Sequence, residues 1–200
     1  MPRPTRKLEL THPGPVAGVD EAGRGPLAGP VVAAAVILPE RGVPRGIDDS
    51  KKLTAQARAD LYARLTRVAL FGVGIATVEE IDRINIYWAT MLAMTRAVDA
   101  LSVVPAMVLI DGNAKPRWDR PCTTIVGGDA ICISIAAASI IAKHHRDRLM
   151  IEADSAHPGY GWASNKGYGC PQHKEALGRL GPSPLHRRSF APVAQALLPL

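Results

Sequence analysis

The chain has 200 residues, 47% of them hydrophobic, so it can bury one well-filled core, and intrinsic disorder is not expected. Its 24 Lys and Arg residues against 18 Asp and Glu residues give a formal net charge of +6, which favours a polyanionic partner without requiring one. Three cysteines, Cys122, Cys132 and Cys170, lack Cys-x-x-Cys spacing, which argues against a disulfide framework or a zinc ribbon and indicates a reducing compartment.

The N-terminal segment, residues 1–15, is basic and proline-rich, and we expect a loose arm there. It lacks the apolar stretch of a secretion signal, and no uninterrupted apolar run approaches the roughly 18 residues that a membrane helix needs. We therefore expect a cytoplasmic protein that does not associate with membranes.

Short apolar runs bounded by turn residues predict five strands. In chain order these are Val16–Asp20, Val31–Leu38, Val68–Thr77, Met107–Ile110 and Thr123–Val126. The first three can run as a meander. The order of the elements predicts a mixed α/β sheet covered by helices, although other three-layer folds share this order.

Capping residues mark the helices between the strands. Thr54 is the predicted N-cap of one helix, and Thr77 with Glu80 has capping-box spacing before a longer one. A further helix follows Asp129, and a short one is expected over about Pro171–Leu180. The longer helix has an apolar stripe expected to pack on the core, formed by Ile81, Ile84, Trp88, Leu92, Thr95 and Val98.

Carboxylates follow three of the five predicted strands. Asp20 and Glu21 end the first strand, Asp111 ends the fourth, and Asp129 follows the fifth. Because ligands of open α/β sheets gather at strand ends, these side chains are expected to converge. Four hard oxygen donors can hold two divalent cations, Mg²⁺ or Mn²⁺, of the kind that cleave phosphodiesters.

Each carboxylate also has a structural interpretation. Asp20 and Glu21 can form a polar turn that caps a strand, Asp111 can belong to an Asp-Gly turn, and Asp129 can be a helix N-cap. The coincidence of all of them at strand ends favours the metal site, and both interpretations stay open at this point.

Eight short motifs occur in order between Val16 and Val193. They are VDEAGRGP at 19–26, DSK at 49–51, DGN at 111–113, GD at 128–129, AAASIIAK at 136–143, RD at 146–147, KGYG at 166–169 and HRRSF at 186–190. No single motif is decisive. Their order and spacing together resemble the signature of the type 2 bacterial ribonucleases H, the ribonuclease HII family.

The resemblance implies a ribonuclease H-like fold, with a mixed five-stranded sheet flanked by helices and a short helical C-terminal appendage. It implies that two divalent ions, Mn²⁺ or Mg²⁺, are held by four ligands and catalytic residues: Asp20, Glu21, Asp111 and Asp129. It also implies an endoribonuclease that cleaves the RNA of RNA–DNA hybrids. A duplex DNA with one ribonucleotide would be cut on the 5′ side of that ribonucleotide, leaving 3′-hydroxyl and 5′-phosphate ends.

The resemblance further implies substrate contacts. Gly23, Arg24 and Gly25 match the element that reads the 2′-hydroxyl at an RNA-to-DNA junction, the group that distinguishes RNA from DNA. Tyr168 matches the tyrosine that stacks on the deoxyribose next to the ribonucleotide. His173 matches a family histidine whose role, chemical or structural, stays open. Phosphate contacts are expected from Ser50, Lys51 and Lys143.

Residues 157–200 are expected to form a basic appendage to a catalytic core of residues 1–156. Five basic residues against one acidic residue, Glu175, give this segment a net charge of +4. We expect it to grip the duplex, with Arg187 and Arg188 among the substrate-binding residues. The alternative is an ordinary solvated face.

Two competing functions stay open beside the ribonuclease. A catalytically silent nucleic-acid-binding protein of the same fold would not need four carboxylates, and a resolvase or transposase would not need the Gly23–Gly25 element or Tyr168. We expect a monomer. The preference between Mn²⁺ and Mg²⁺, and the docking of a sliding clamp on the C-terminus, are not specified by the sequence.

Overall fold

The fold was analysed in a computed structural model, which describes residues 3–197. Its strands are β1 (Val16–Ala22), β2 (Val31–Ile37), β3 (Leu70–Ala76), β4 (Met107–Asp111) and β5 (Cys122–Ile125), in spatial order β3-β2-β1-β4-β5. β1, β2 and β3 pair antiparallel, whereas β1, β4 and β5 pair parallel. The prediction of a mixed five-stranded sheet is confirmed.

Six helices accompany the sheet in the described chain. They are α1 (Ala55–Val68), α2 (Val78–Asp99), α3 (Ile133–Ala156), α4 (Trp162–Asn165), α5 (Pro171–Leu180) and α6 (Ala191–Gln195). The predicted caps are present: Thr54 accepts a hydrogen bond from the Ala57 amide, and Thr77 with Glu80 forms a complete capping box. Across residues 3–197, no helix combines the length and the apolar character needed to cross a membrane.

Helices cover both faces of the sheet because successive side chains of a strand point to opposite sides. In β2, Val31, Ala33 and Ala35 pack in the core cluster that includes α2. Ala34 and Val36 pack in the opposite cluster, with α1 and α3. This strand is buried on both faces, which explains its uninterrupted apolar sequence.

Helix α3 lies unusually close to β1. A Cβ atom at Gly18 would stand 2.2 Å from the Ser134 carbonyl carbon, so only glycine fits there. The small residues Ala136, Ala137 and Ala138 are fully buried in the same helix. This close approach brings the polar residue Ser139 to the end of β1, where the acidic residues lie.

The apolar residues of the predicted stripe on α2 pack in or against the core, and the helix also has a kink that was not predicted. Asn85 has a φ of +65°, and its side chain accepts hydrogen bonds from the amides of Tyr87 and Trp88, which restarts the helix. The kink rotates the second half, so Leu92 and Thr95 are only half-buried. The core is lined there by Ala89, Met91, Ala93, Met94, Ala97 and Val98.

The N-terminal arm is anchored, which corrects the expectation of a loose segment. Thr5 forms a parallel β-bridge with Cys132. The side chain of Cys132, the N-cap of α3, makes no capping hydrogen bond. Glu9 instead accepts a hydrogen bond from the Ser134 amide at 2.9 Å, satisfying one free amide at the start of α3.

The C-terminal segment packs on the catalytic core through two apolar clusters. Trp162 and Ala176 pack with Ala28 and Met150. A smaller cluster joins Leu27, Leu177 and Val193. Helix α5 has the predicted bounds, and the last residues of the expected appendage, 198–200, lie outside the described residues.

Candidate active site

Parallel pairing places the first carboxylates side by side. Val19 of β1 pairs with Ile110 of β4, so the next residues, Asp20 and Asp111, are neighbours at the same edge of the sheet. Asp20 is only 4% exposed and accepts a hydrogen bond from the Glu21 amide at 2.7 Å. Two of the four predicted carboxylates therefore sit on rigid strands, and Glu21 follows on β1.

Asp129 reaches the same edge from a short 3₁₀ turn, Gly128–Ala130. The turn is tied to β4 because the Gly128 amide donates to an Asp111 carboxylate oxygen at 2.7 Å. Asp129 does not cap α3, whose N-cap is Cys132. The helix-cap interpretation of Asp129 is therefore wrong, and its side chain is left for another role.

The electrostatics of the cluster show that it gathers more negative charge than its surroundings offset. Burial, then Glu21 and Asp111, raise the pKa of Asp20 well above its ordinary value. Burial also raises the pKa of Glu21, against the opposing effect of Arg24. Burial, Asp49 and Asp111 together raise the pKa of Asp129. Burial and mutual repulsion both disfavour the charged carboxylates, and a bound cation would offset both effects.

Two basic side chains on the rim offset part of this charge. Arg24 lies 3.2 Å from Glu21, and the Lys51 ammonium lies 3.6 Å from Asp129. Although burial alone would lower it, the carboxylates of Asp129 and Asp49 raise the pKa of Lys51. Both basic side chains are more than half exposed, so they can also meet a ligand from solvent.

The donor chemistry of the cluster fits hard divalent cations. All four donors are carboxylates, the ligand type that Mg²⁺ and Mn²⁺ prefer, and Asp20 and Asp129 are buried beside their neighbours. Among residues 3–197, however, no three acidic, histidine or cysteine side chains form a ready-made coordination sphere. A cation bound here would draw together oxygens that otherwise repel one another.

The predicted substrate-reading residues meet beside this cluster. A Cβ atom at Gly25 would lie 3.7 Å from a ring carbon of Tyr168, which is van der Waals distance. The Tyr168 ring is 46% exposed, and the Lys143 ammonium lies 5.7 Å from its centroid. Gly25, Tyr168 and Lys143 thus come from three separate segments to one surface.

The family model for ribonuclease HII matches residues 17–193, a range that includes all four carboxylates, Gly25 and Tyr168. The chain belongs to the ribonuclease HII family. The ribonuclease HII of Rhizorhabdus wittichii is 71% identical over 195 residues, covering 98% of this chain and 96% of that protein. The ribonuclease HII of Caulobacter vibrioides is 54% identical over 198 residues, covering 98% and 94%. Ribonuclease HII membership makes the protein a ribonuclease H hydrolase that acts on RNA–DNA hybrids.

Solved structures confirm the ribonuclease H-like fold. Ribonuclease H2 from Pyrococcus horikoshii superposes with a TM-score of 0.78 at 27% identity, covering 91% of this chain and 96% of that one. Bst-RNase HIII, solved in complex with Mn²⁺, gives a TM-score of 0.73 at 21% identity, covering 92% and 69%. At that identity the second likeness shows the fold alone.

Ser50 of this ribonuclease HII chain is placed differently from the prediction of a phosphate contact. It is buried, and its hydroxyl lies 2.7 Å from the Ser139 hydroxyl. Ser139 in turn lowers the pKa of Asp20, against the larger effect of burial. Ser50 therefore contacts the acidic cluster indirectly, through Ser139. Lys51 is the residue of the DSK motif whose side chain reaches the surface.

Arg187 is also placed differently from the prediction. Its side chain is fully buried and donates hydrogen bonds to four backbone carbonyls of the loop that follows β1, those of Gly23, Arg24, Gly29 and Pro30. Burial lowers the pKa of Arg187 to about 9. A guanidinium held in this way has no free face for a phosphate, so Arg187 shapes the loop instead.

We expect substitutions of Arg187 and Arg188 to have different effects on stability and on duplex binding. Arg187→Ala leaves buried carbonyls unpaired and should lower the free energy of unfolding by about 3 kcal/mol or more. Arg188 is exposed, so Arg188→Ala should change that free energy by less than about 0.5 kcal/mol. If Arg188 contacts a phosphate, its loss should also reduce the slope of log affinity against log salt by about one. An unchanged slope would assign Arg188 to a solvated face.

Two residues that stabilise or charge the site were not predicted from the sequence. Arg146, which is 1% exposed, donates to the carbonyls of Ala28 and Lys166, and so joins the loop after β1 to the segment that carries Tyr168. Asp49 adds charge beside Asp129. Both lie in the quoted motifs, but nothing in the pattern distinguishes a buried charge from a surface one.

A buried histidine pair lies behind Tyr168. His173 and His186 are 0% and 1% exposed, and their Nε2 atoms are 3.1 Å apart. The Nδ1 atom of His173 donates to the Tyr168 carbonyl at 2.9 Å, and the Trp162 indole donates to its Nε2 at 3.1 Å. His186 Nδ1 accepts from the Ser183 amide at 3.0 Å. These partners fix both rings as neutral, with the proton between them on His186.

The neutral pair should make stability depend on pH. Burial, and then the proximity of the second titratable ring of His173, lower the pKa of His186 from 6.5 to about 4. As pH falls between these values, the unfolded chain takes up a proton that the folded protein does not. We expect His186 alone to lower the free energy of unfolding by about 1–3 kcal/mol over that range.

The effect of His186 is measured by denaturant unfolding of the wild type and His186→Asn at several pH values from 4 to 7. The raised pKa values of Asp20, Glu21 and Asp129 act in the opposite direction, and they are common to both proteins. The variant should be less stable at pH 7 and should lose less stability on acidification. Equal losses in the two proteins would contradict a depressed His186 pKa.

Proposed function

We propose that this ribonuclease cuts duplex DNA on the 5′ side of an embedded ribonucleotide, as well as the RNA strand of RNA–DNA hybrids. The products carry 3′-hydroxyl and 5′-phosphate ends. The proximity of Gly25 to the Tyr168 ring, on the loop that follows Asp20 and Glu21, supports the proposal, because a sugar bound between them would lie next to the carboxylates.

Asp20, Glu21, Asp111 and Asp129 would hold two divalent cations, Mn²⁺ or Mg²⁺. Such a pair supplies activation of a water nucleophile and stabilisation of charge on the leaving oxygen. The chain contributes the placement of the ligands: β1 and β4 set Asp20 beside Asp111, and the Gly128 amide fixes the approach of Asp129. Burial keeps bulk water from screening this charge.

Selection of the ribonucleotide falls to groups outside the carboxylates, which contact only phosphate and metal. Gly25 has no side chain, so its backbone can approach a 2′-hydroxyl closely, and Gly23 holds the start of the loop with a φ of +94°. The exposed ring of Tyr168 can stack on the next sugar only where no 2′-hydroxyl projects. The two requirements together favour an RNA-to-DNA step.

Basic groups around the cluster would bind the phosphates on either side of the cut. Arg24 and Lys51 are ion-paired on the rim, and Lys143 is paired with Asp147 at 2.8 Å beside Tyr168. Arg24 and Lys51 are exposed and Lys143 is half-buried, and together they would bind a backbone that passes between the carboxylates and the Tyr168 ring. They position the strand and carry no sequence information, which suits an enzyme that must act at any ribonucleotide.

The test compares the ribonuclease with a silent binder of the same fold. A labelled duplex containing one ribonucleotide is incubated with protein treated with EDTA, and then with added Mn²⁺ or Mg²⁺. We expect cleavage only after the divalent ion is restored, and no cleavage of the all-DNA duplex. Tight binding of the duplex without cleavage in either ion would support the silent binder instead.

The sequence does not specify whether a sliding clamp docks on the C-terminus. The ribonuclease HII of Archaeoglobus fulgidus was solved in a complex with PCNA, and it superposes with a TM-score of 0.69 at 22% identity, covering 92% of this chain and 98% of that one. This supports the common fold. Pull-down of the full chain and of a chain ending at residue 197 with a bacterial clamp would test whether a clamp docks there.

A further inference from the structure

The Gly23–Gly25 loop and Tyr168 come from segments more than 140 residues apart in the sequence, yet they must hold one sugar between them. We propose that the His173–His186 pair is a positioning device that sets the distance between them, and that it thereby tunes selection of a single ribonucleotide. The inference rests on the proposed junction-reading role of Tyr168. It concerns two residues that touch neither metal nor substrate.

The pair is fixed to Tyr168 on one side. His173 donates from Nδ1 to the Tyr168 carbonyl, so the backbone from which the exposed ring projects is held by a fully buried group. The Trp162 indole donates to the other nitrogen of His173 and packs within the same aromatic cluster. Tyr168 therefore has an exposed side chain on a rigid support.

The pair is fixed to the Gly23–Gly25 loop on the other side. His186 is followed directly by Arg187, whose guanidinium donates to the carbonyls of Gly23 at 2.5 Å and Arg24 at 2.8 Å. The backbone amide of Arg187 also donates to the Leu27 carbonyl at 2.9 Å. Any shift of His186 is thus transmitted to the loop through the next residue in the chain.

The pair itself is joined by a hydrogen bond from His186 Nε2 to His173 Nε2, whose lone pair it shares with the Trp162 indole. It is directional because His186 Nδ1 already accepts from Ser183 and His173 Nδ1 already donates to Tyr168. Two other connections lie nearby: Arg146 joins Ala28 to Lys166, and the Leu27 amide donates to the Gly167 carbonyl at 2.8 Å. The histidine pair differs from both because it ends on the Tyr168 carbonyl itself.

The two nitrogens of His173 can be tested separately. An Asn side chain can place a donor near the Nδ1 position, so His173→Asn keeps a bond to the Tyr168 carbonyl and loses the acceptor for His186. A Gln side chain can place an acceptor near the Nε2 position, so His173→Gln keeps the link to His186 and loses the bond to Tyr168. Neither change alters the acidic cluster.

The readout is the ratio of kcat/KM on a duplex with one ribonucleotide to kcat/KM on a continuous RNA–DNA hybrid. We expect both variants to lower this ratio by about tenfold, the effect of one broken hydrogen bond. His12→Gln, a change in the N-terminal arm, is the control and should leave the ratio unchanged. If His173→Asn keeps the wild-type ratio, or if both substrates lose activity equally, the alignment role is overturned.

Two further variants keep the outcomes separable. Tyr168→Ala tests the proposed function by itself, because an unchanged ratio in this variant overturns junction reading. If Tyr168→Ala changes the ratio but the His173 variants keep the wild-type ratio, only the positioning role is overturned. Adding His173→Asn to Tyr168→Ala should cause no further fall in the ratio. Should the His173 variants fail to fold, Ser183→Ala removes one contact to His186 and should lower the ratio by about threefold; an unchanged ratio overturns the proposal.

Discussion

Asp129→Asn should lower turnover by about 10²- to 10³-fold while leaving the fold and duplex binding largely intact. The neutral amide is a poorer ligand for a divalent cation, and it no longer contributes the charge that holds a cation against the developing phosphorane. The fold should persist because Asp129 caps no helix, and its surroundings already raise its pKa. Single-turnover cleavage at saturating Mn²⁺, with duplex affinity measured in parallel, gives both quantities.

Asp119→Asn is the matched control, since Asp119 is exposed and forms no salt bridge within residues 3–197. It removes the same charge from the chain without touching the cluster, so its activity should stay near that of the wild type. Near-normal cleavage by well-folded Asp129→Asn would remove Asp129 from the ligand set. A large loss in Asp119→Asn would show that net charge, and not ligand identity, controls the rate.

Tyr168→Ala should lose far more activity on a single embedded ribonucleotide than on a long RNA–DNA hybrid. Tyr168 is exposed beside Gly25, and under the proposed function its ring would stack on the deoxyribose that follows the ribonucleotide, which is possible only at an RNA-to-DNA step. Stacking of a base on an aromatic ring contributes about 1–3 kcal/mol. A sugar–ring contact at the lower end of that range corresponds to a loss of about tenfold on the junction substrate. Steady-state kinetics on the two substrates measure this difference.

Tyr168→Phe is the companion variant, because it keeps the ring and removes only the hydroxyl. In the described structure the Tyr168 hydroxyl has no hydrogen-bond partner, and the ring faces the Lys143 ammonium. The variant should therefore keep most of its activity on both substrates. The junction-reading role would be contradicted if Tyr168→Ala lost equal activity on the two substrates. It would also be contradicted if the variant kept its activity on the duplex with one ribonucleotide.

The convergence of the carboxylates could be predicted because it follows from strand order. Parallel strands bring their carboxyl ends to one edge, and three apolar runs ended in acidic residues, so Asp20, Asp111 and Asp129 could be placed together without side-chain detail. The capping box at Thr77 and the bounds of α5 followed from local chemistry in the same way. The caps depend on near neighbours in the chain, whereas the convergence also requires β4 to pair in parallel with the distant strand β1.

The buried polar residues could not be predicted, because burial depends on contacts from distant segments. Arg187 resembles a surface cation in sequence, but the carbonyls that surround it come from a loop near residue 25. Ser50 is buried only because Ser139 of α3 meets it there. The apolar residues of the stripe on α2 pack on the core as predicted, but the kink was not predicted, because it depends on the Asn85 side chain capping the second half of the helix.

Mapping the cut in a duplex with one ribonucleotide tests the central claim most directly. Each strand is end-labelled in turn, the duplex is cleaved in Mn²⁺, and the products are sized at single-nucleotide resolution with their ends identified by phosphatase and ligase treatment. We expect one cut, on the 5′ side of the ribonucleotide, with a 3′-hydroxyl and a 5′-phosphate. A cut on the 3′ side, a 2′,3′-cyclic phosphate end or cleavage of the all-DNA control would contradict both the metal-dependent hydrolysis and the junction recognition described above.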